Sequence, residues 1–462
     1  MVDADRRVAL LVAVLASSLL AFMGSSVPIA IPSISEDLAM DAVLLNWVAT
    51  SFLLASAMLL VPFGRIADIY GRKRVFLYGI SVYTFASLLC AISTSAIMLL
   101  AFRVLQGIGA AMSFGTGAAI ITAVFPLGER GRALGTNAAA AYLGLSMGPF
   151  LGGFLTQHFG WRSIFLANVP MGIAIVSVML WKLKGDWAGA RGERFDFVGA
   201  AIYALMLLAM ISGFSLLPAL SSVWLVMVGV LGILAFVKWE MRTQSPVLDI
   251  NLFRNNATFA FSNLAALVNF SATFAVGFLL SLYLQYIKGL SPQEAGLVLV
   301  SQPVLMAFLA PFAGRLSDRM EPRTVASMGM ALAAGALLLF ASLTETTPLG
   351  FILASLMLMG AGGALFTSPN MNAVMSSVER RSHGVAAATH VTMRLTGQTV
   401  SMGIVMMIFA TTVGRVHITA EQYPLLLSGI KIAFLVFGGL CFSGILASLA
   451  RGRMRQKSLA EL

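Results

Sequence analysis

Gly64-Arg65-Ile66-Ala67-Asp68 ends one long apolar run, and 250 residues further on Gly314-Arg315-Leu316-Ser317-Asp318 ends another. A second pair keeps the same spacing: Glu129-Arg130 and Glu379-Arg380 each precede an apolar run. Two loop pairs at one offset mark an internal duplication. What is duplicated is a set of apolar segments. Runs of about 20 residues, enough to cross a bilayer core as a helix, lie near 8–31, 43–63, 75–94, 97–124, 133–157 and 163–183, and again near 257–287, 292–314, 323–343, 349–374, 384–412 and 426–450. Two more, near 196–217 and 222–240, lie between the repeats, which makes fourteen.

Composition agrees with a lipid solvent. Of 462 residues, 59% are hydrophobic and 11% charged, against about 25% charged in soluble domains. Such a chain cannot cover its surface with polar groups, which excludes a soluble globule, a disordered chain and a coiled coil. Strand-like alternation is absent, so a membrane barrel is not expected. Cys90 and Cys441, the two cysteines, provide neither a disulfide framework nor a metal cluster. The first run follows Arg6-Arg7 as the core of a signal peptide would. It exceeds 20 residues and has no small-residue cleavage site before Pro28 and Pro32, so it is read as a retained span.

The net charge of +11 suggests nucleic acid in a soluble protein, but in a membrane protein it reports topology, because basic residues gather in cytoplasmic loops. With the N-terminus inside, 24 Lys and Arg residues fall on the cytoplasmic side. Four (Arg162, Lys288, Arg415, Lys431) fall outside, and Arg103 and Arg394 lie within spans. Dropping one span would scramble this split, so both termini are expected in the cytoplasm. The expected fold is all-α: a six-helix bundle over 1–183, a two-helix insertion with flanking loops over 184–254, a second bundle over 255–450 and a basic tail over 451–462. Parallel six-helix halves with a site between them are a transporter architecture.

The full second loop reads Gly64-Arg65-Ile66-Ala67-Asp68-Ile69-Tyr70-Gly71-Arg72-Lys73-Arg74. Gly64 and Gly71 permit tight turning and close approach. Asp68 can accept hydrogen bonds at a neighbouring helix N-terminus, and Arg72 can grip a carboxylate with two nitrogens. Lys73 and Arg74 are read as topogenic charge. In the fifth span, Gly144, Gly148 and Gly152 recur every four residues on one helix face, where small residues let membrane helices approach. Pro149 beside them removes a helix hydrogen bond and can bend the span, and Gly153 closes the run, so the stretch is read as a bent, closely packed hinge between the halves. The same stretch matches the hydrolase pattern G-x-S-x-G, but it lies inside an apolar helix rather than at a strand–helix turn. No nucleotide loop or metal motif occurs, so no enzyme, cofactor, metal or ATP-driven transport is expected.

These stretches, with Phe159-Gly160-Trp161-Arg162-Ser163-Ile164-Phe165-Leu166-Ala167-Asn168-Val169-Pro170 at the sixth span, resemble the major facilitator superfamily, and within it the 14-helix drug:proton antiporters. The resemblance covers nearly the whole chain. It implies that the loop of Gly64, Asp68, Gly71 and Arg72 latches the outward-facing state. It also implies that the fifth-helix motif (Gly144, Gly148, Pro149, Gly152, Gly153) marks an exporter, and that protons drive transport.

Arg103 with Gln106 and Gly107 resembles the family's fourth-helix motif. It either takes part in proton transfer by tuning a nearby carboxylate or water, or is a structural arginine bonded to carbonyls. Arg394, with Gly397 and Gln398, resembles the family's polar patch on the thirteenth helix. His390, one turn before Arg394, is the sole histidine well inside a span, either as a proton carrier or as a neutral hydrogen-bonded side chain. Asp68, Arg103, His390 and Arg394 are therefore the proton-coupling candidates. Asn137, Asn263, Asn269, Gln302, Asn370, Asn372 and Gln398 are read as interhelical glue, and no substrate-binding residue is assigned.

The chain departs from the family in the first helix. Met23 stands where an Asp is usual and Pro28 where an Asn is usual, and no acidic residue lies near the centre of a span. That predicts poor handling of dications and a preference for neutral, zwitterionic or anionic amphiphiles. The expected protein is a monomeric multidrug-type exporter of the inner (plasma) membrane. Its partners are small-molecule substrate, protons and lipid, not nucleic acid. The alternatives are a dedicated metabolite or lipid transporter of the same fold, or a non-transporting membrane sensor.

Overall fold

The computed structural model describes residues 2–126, 129–183, 185–190, 192–243, 246–248, 250–379 and 383–451. Several basic residues counted above (Lys184, Arg191, Arg380, Arg381 and the tail after Arg451) lie outside them. Among the described residues, fourteen helices are long and apolar enough to cross a bilayer. They are α1 Arg6–Asp37, α2 Leu44–Tyr70, α3 Arg72–Ala91, α4 Ala96–Val124, α5 Arg132–Phe159, α6 Arg162–Lys182, α7 Phe197–Leu216, α8 Leu220–Glu240, α9 Ala257–Ile287, α10 Pro292–Ser317, α11 Pro322–Ala341, α12 Leu349–Ser376, α13 Val385–Thr412 and α14 Ala420–Leu449. Helices are the solution lipid demands, because each satisfies its own backbone.

Polar punctuation sets the helix ends. The Ser95 hydroxyl accepts from the Met98 N–H to start α4, and the Asn256 carbonyl oxygen accepts from the Phe259 N–H to start α9. Ser291 and Glu294 form a capping box with Pro292 in the first turn of α10. α2 runs straight through Gly64 and stops at Gly71, whose φ is +121°. The expected turn at Gly64 is absent, since Arg65–Tyr70 continue the helix.

In the first half, α1 lies along α5, and α4 packs against α2 and α3. In the second, α9 packs on α12, α13 and α14, while α12 also packs on α10 and α11. α7 and α8 pack on each other, and α7 touches α2 and α13. α8 shows apolar side chains outward, among them Trp224, Leu231 and Leu234, as a lipid-facing helix does.

The halves meet along α5 with α10 and α2 with α13. Several hydrogen bonds between them gather at the end away from the basic loops. Ser281 Oγ donates to the Pro28 carbonyl at 2.7 Å and Gln285 Nε2 to the Ile29 carbonyl at 3.0 Å. His158 Nε2 lies 3.1 Å from Gln293 Oε1, and the Ala42 N–H donates to the Val416 carbonyl at 3.0 Å.

Candidate functional site

On the basic face, the α2–α3 loop is clasped by the chain that leads from α6 to α7. Arg72 pairs with Asp68 at 2.8 Å, and its Nη1 donates to the Ala119 carbonyl of α4. The Ala190 N–H donates to the Asp68 carbonyl, and the Arg72 N–H to the Trp187 carbonyl. Arg74 pairs with Asp186 at 3.1 Å, Asp186 also accepts from the Lys73 N–H, and Arg65 pairs with Glu193. A Cβ on Gly71 would sit 2.2 Å from the Asp186 carboxylate, so this glycine is required twice over, by φ and by space. Gly64 is different: a Cβ there would meet nothing within 4 Å. The Asp68 carboxylate thus engages its own half through Arg72. Lys73 and Arg74 do more than add charge, because both are tied to the linker.

Along α5 the glycines make close contacts on two faces. Added Cβ atoms at Gly144, Gly148 and Gly152 would fall 2.3 Å from the Ser18 carbonyl oxygen, 1.9 Å from Ser25 Oγ and 2.6 Å from Ser26 Cβ, all on α1. On the adjacent face, a Cβ at Gly153 would lie 2.5 Å from the Pro292 carbonyl oxygen. One at Gly296 of α10 would lie 2.2 Å from the Pro149 carbonyl oxygen. The four-residue glycine repeat therefore binds α5 to its own half, while Pro149 and Gly153 meet the other half. The sequence reads the glycine repeat as a hinge between the halves; its closest neighbours are instead Ser18, Ser25 and Ser26 of the same half, and the contact with the other half runs through Gly153 and Gly296, a residue that no motif marked.

The four coupling candidates do not gather at one point. Arg103 is buried inside the first half. Its Nε donates to the Val48 carbonyl at 2.9 Å, its Nη1 to Gln106 Oε1 at 2.6 Å, and its guanidinium lies over Phe52, 4.5 Å from the ring centroid. Gln106 continues to Ser87 of α3, so Arg103 knits α2, α3 and α4 together. Arg394 of α13 faces the first half, its guanidinium 6.0 Å from the centroid of the Phe114 ring of α4. His390 is 7% exposed, and its Nδ1 has no hydrogen-bond partner. Asp68 stays at the basic face. Met23 is fully buried and its sulfur accepts from Asn168 Nδ2 of α6, so the position of the family's usual acid faces the interior of the first half.

The polar residues divide. Asn137 accepts from Ser17 of α1, and Asn372 donates to Ser317 of α10. Both act as interhelical glue. Asn263 and Asn370 are fully buried with side-chain atoms unpaired. Sequence reading also passed over Glu240, 2% exposed at the end of α8, where Oε2 accepts from the Leu248 N–H and Oε1 is unpaired. Its position at a span boundary gave no signal of burial. Among the described residues, no group of three His, Cys, Asp or Glu could hold a metal.

The model of the Major Facilitator Superfamily matches residues 13–195 and 263–461, leaving out the stretch that carries α7 and α8. The riboflavin transporter RibZ of Clostridioides difficile is 27% identical over 95% of this chain and 95% of its own. The cephamycin export protein CmcT of Amycolatopsis lactamdurans is 32% identical over 96% and 93%. The multidrug resistance protein Stp of Mycobacterium tuberculosis (strain ATCC 25618 / H37Rv) is 31% identical over 82% and 71%. Among solved structures, a bacterial homologue of the human lysosomal transporter Spinster superposes with a TM-score of 0.69 at 17% identity, covering 96% of this chain and 97% of that one. With fourteen helices among the described residues long and apolar enough to cross a membrane, a family model that matches most of the chain and two of these relatives matched over more than nine-tenths of both chains, the chain belongs to the major facilitator superfamily and is a multi-pass membrane transporter, not an enzyme.

Proposed function

We propose that this transporter exports amphiphilic or lipophilic small molecules from the cytoplasm by proton antiport. In this reading it works as a monomer in the inner membrane, with the basic face and both termini cytoplasmic. The observation that carries this reading is the α5 contact. One face of α5 is packed backbone-close on α1, and the other touches α10 through Gly153 and Gly296 with almost no side chain between. Such a small-residue contact can part and re-form as the halves rock, because no interlocked side chains need to be repacked. The cephamycin and multidrug export relatives support the direction of transport. The buried Met23 and the two intramembrane guanidinium groups support neutral, zwitterionic or anionic substrates.

A second reading, a carrier dedicated to one metabolite, is supported by the riboflavin transporter that matches over 95% of both chains. Proteoliposomes with an imposed pH gradient separate the two. The panel holds a neutral dye, an anionic amphiphile, a dication and riboflavin. Gradient-dependent movement of several unlike compounds supports the exporter. Movement of riboflavin alone supports the dedicated carrier, and gradient-independent movement removes proton coupling. Gly148→Leu should insert normally and lose most transport.

A further inference from the structure

The second half contains a polar layer that no motif predicts. The Asn256 side chain of α9 bonds to the Ser377 carbonyl at the end of α12. One turn deeper, Phe259 of α9, Val374 of α12 and Ala386 of α13 form a fully buried apolar cluster. One more turn along each helix, about 5 Å, reaches Asn263, Asn370 and His390. The parallel pairing of α9 with α13 is fixed independently further along, where Ser401 Oγ accepts from the Ala275 N–H and Gly397 meets Leu267 and Phe270.

The three side chains are 0%, 0% and 7% exposed. Four of their polar atoms lack partners: Asn263 Oδ1, both Oδ1 and Nδ2 of Asn370, and His390 Nδ1. Leaving such groups bare costs about 1–3 kcal/mol each, so something of atomic size must meet them. Asn263 Nδ2 donates to the Phe259 carbonyl, which fixes the amide so that Oδ1 needs a donor. A bare anion cannot donate. Among the described residues, no group of three His, Cys, Asp or Glu stands there to hold a metal cation; the charged groups that act on His390 are Arg394 on the same helix and Arg451 beyond the end of α14. Water both donates and accepts, and water is the ordinary occupant of buried polar sites.

We propose that Asn263, Asn370 and His390 hold buried water inside the second half, and that His390 is the group that carries the coupling proton. Asn263 and Asn370 are positioning residues that hold the water against Nδ1, and the Phe259–Val374–Ala386 cluster seals the layer from the basic face. The step is a proton exchange between Nδ1 and a bound water, with no other bond made or broken. This inference rests on the proton-antiport reading above.

The test uses the full chain in proteoliposomes, with Nile red as substrate and entrapped pyranine reporting protons. Wild type should move protons with dye. His390→Gln should keep dye counterflow and lose at least nine-tenths of the coupled proton movement. Asn370→Leu should shift the pH profile of transport, and Asn370→Ser, polar and roomy enough for water, should restore it. Wild type without proton movement sinks the antiport reading and this proposal with it. Proton movement that survives in His390→Gln at the wild-type ratio, or a pH profile unchanged in Asn370→Leu, overturns this proposal alone. Spectra of 15N-histidine-labelled protein, assigned by the signal that His390→Gln removes, read the same group without substrate. A His390 ring that takes no proton between about pH 5 and 9 also overturns it.

Discussion

Replacing single glycines of α2 and α5 by alanine should separate close contact from mere occurrence. At Gly144 the new methyl carbon would lie 2.3 Å from the Ser18 carbonyl oxygen, and ordinary contact begins near 3.4 Å, so the helices must part by about 1.1 Å. That oxygen belongs to the backbone of α1 and cannot swing away. Overpacking of this kind costs about 1–3 kcal/mol. At Gly148 the nearest atom, Ser25 Oγ at 1.9 Å, can rotate, which leaves the Phe22 carbonyl oxygen at 2.9 Å and a gap of only about 0.5 Å to open. At Gly64 nothing lies within 4 Å, so alanine should recover its helix preference, up to about 1 kcal/mol. Thermal unfolding of the purified protein, followed by tryptophan fluorescence, should therefore rank Gly64→Ala at or above wild type, Gly148→Ala below it and Gly144→Ala lowest. Efflux from cells should fall in the same order for the α5 pair. A Gly144→Ala protein with wild-type melting and transport would refute the argument that α1 and α5 are in backbone contact.

Arg103→Gln should lower stability by about 3 kcal/mol, the loss of two charge-assisted hydrogen bonds at about 1.5 each, and unfolding in denaturant checks it; a coupling role alone would spare stability. Gly296→Ala should weaken closure on the face opposite the basic loops, read as faster thiol labelling of Gln157→Cys from that side. A cysteine introduced at Arg453 should be labelled only from the cytoplasm, and labelling in intact cells by an impermeant reagent would invert the topology. Wild type should export a neutral dye several-fold better than a dication, and equal rates would show that the missing first-helix carboxylate does not set charge preference.

Fourteen spans, their order and the duplication were legible in the sequence, because lipid imposes a length and polarity rule on every helix separately. Family membership was equally legible, since the loop from Gly64 to Arg74 and the fifth-helix glycines are contiguous stretches. What residues do across helices was not. Sequence left Arg103 open between proton transfer and structure, and only the packing of α2, α3 and α4 placed its guanidinium on Val48 and Gln106. It read Gly64 and Gly71 as equivalent, whereas the docked linker made Asp186 the neighbour of one and left the other open. It counted Asn263 and Asn370 among several interhelical amides, and only the structure showed both fully buried with polar atoms unpaired. Local composition fixes whether a segment enters the membrane; rotation and register between segments depend on contacts summed over whole helix faces, and only the tertiary structure decides them.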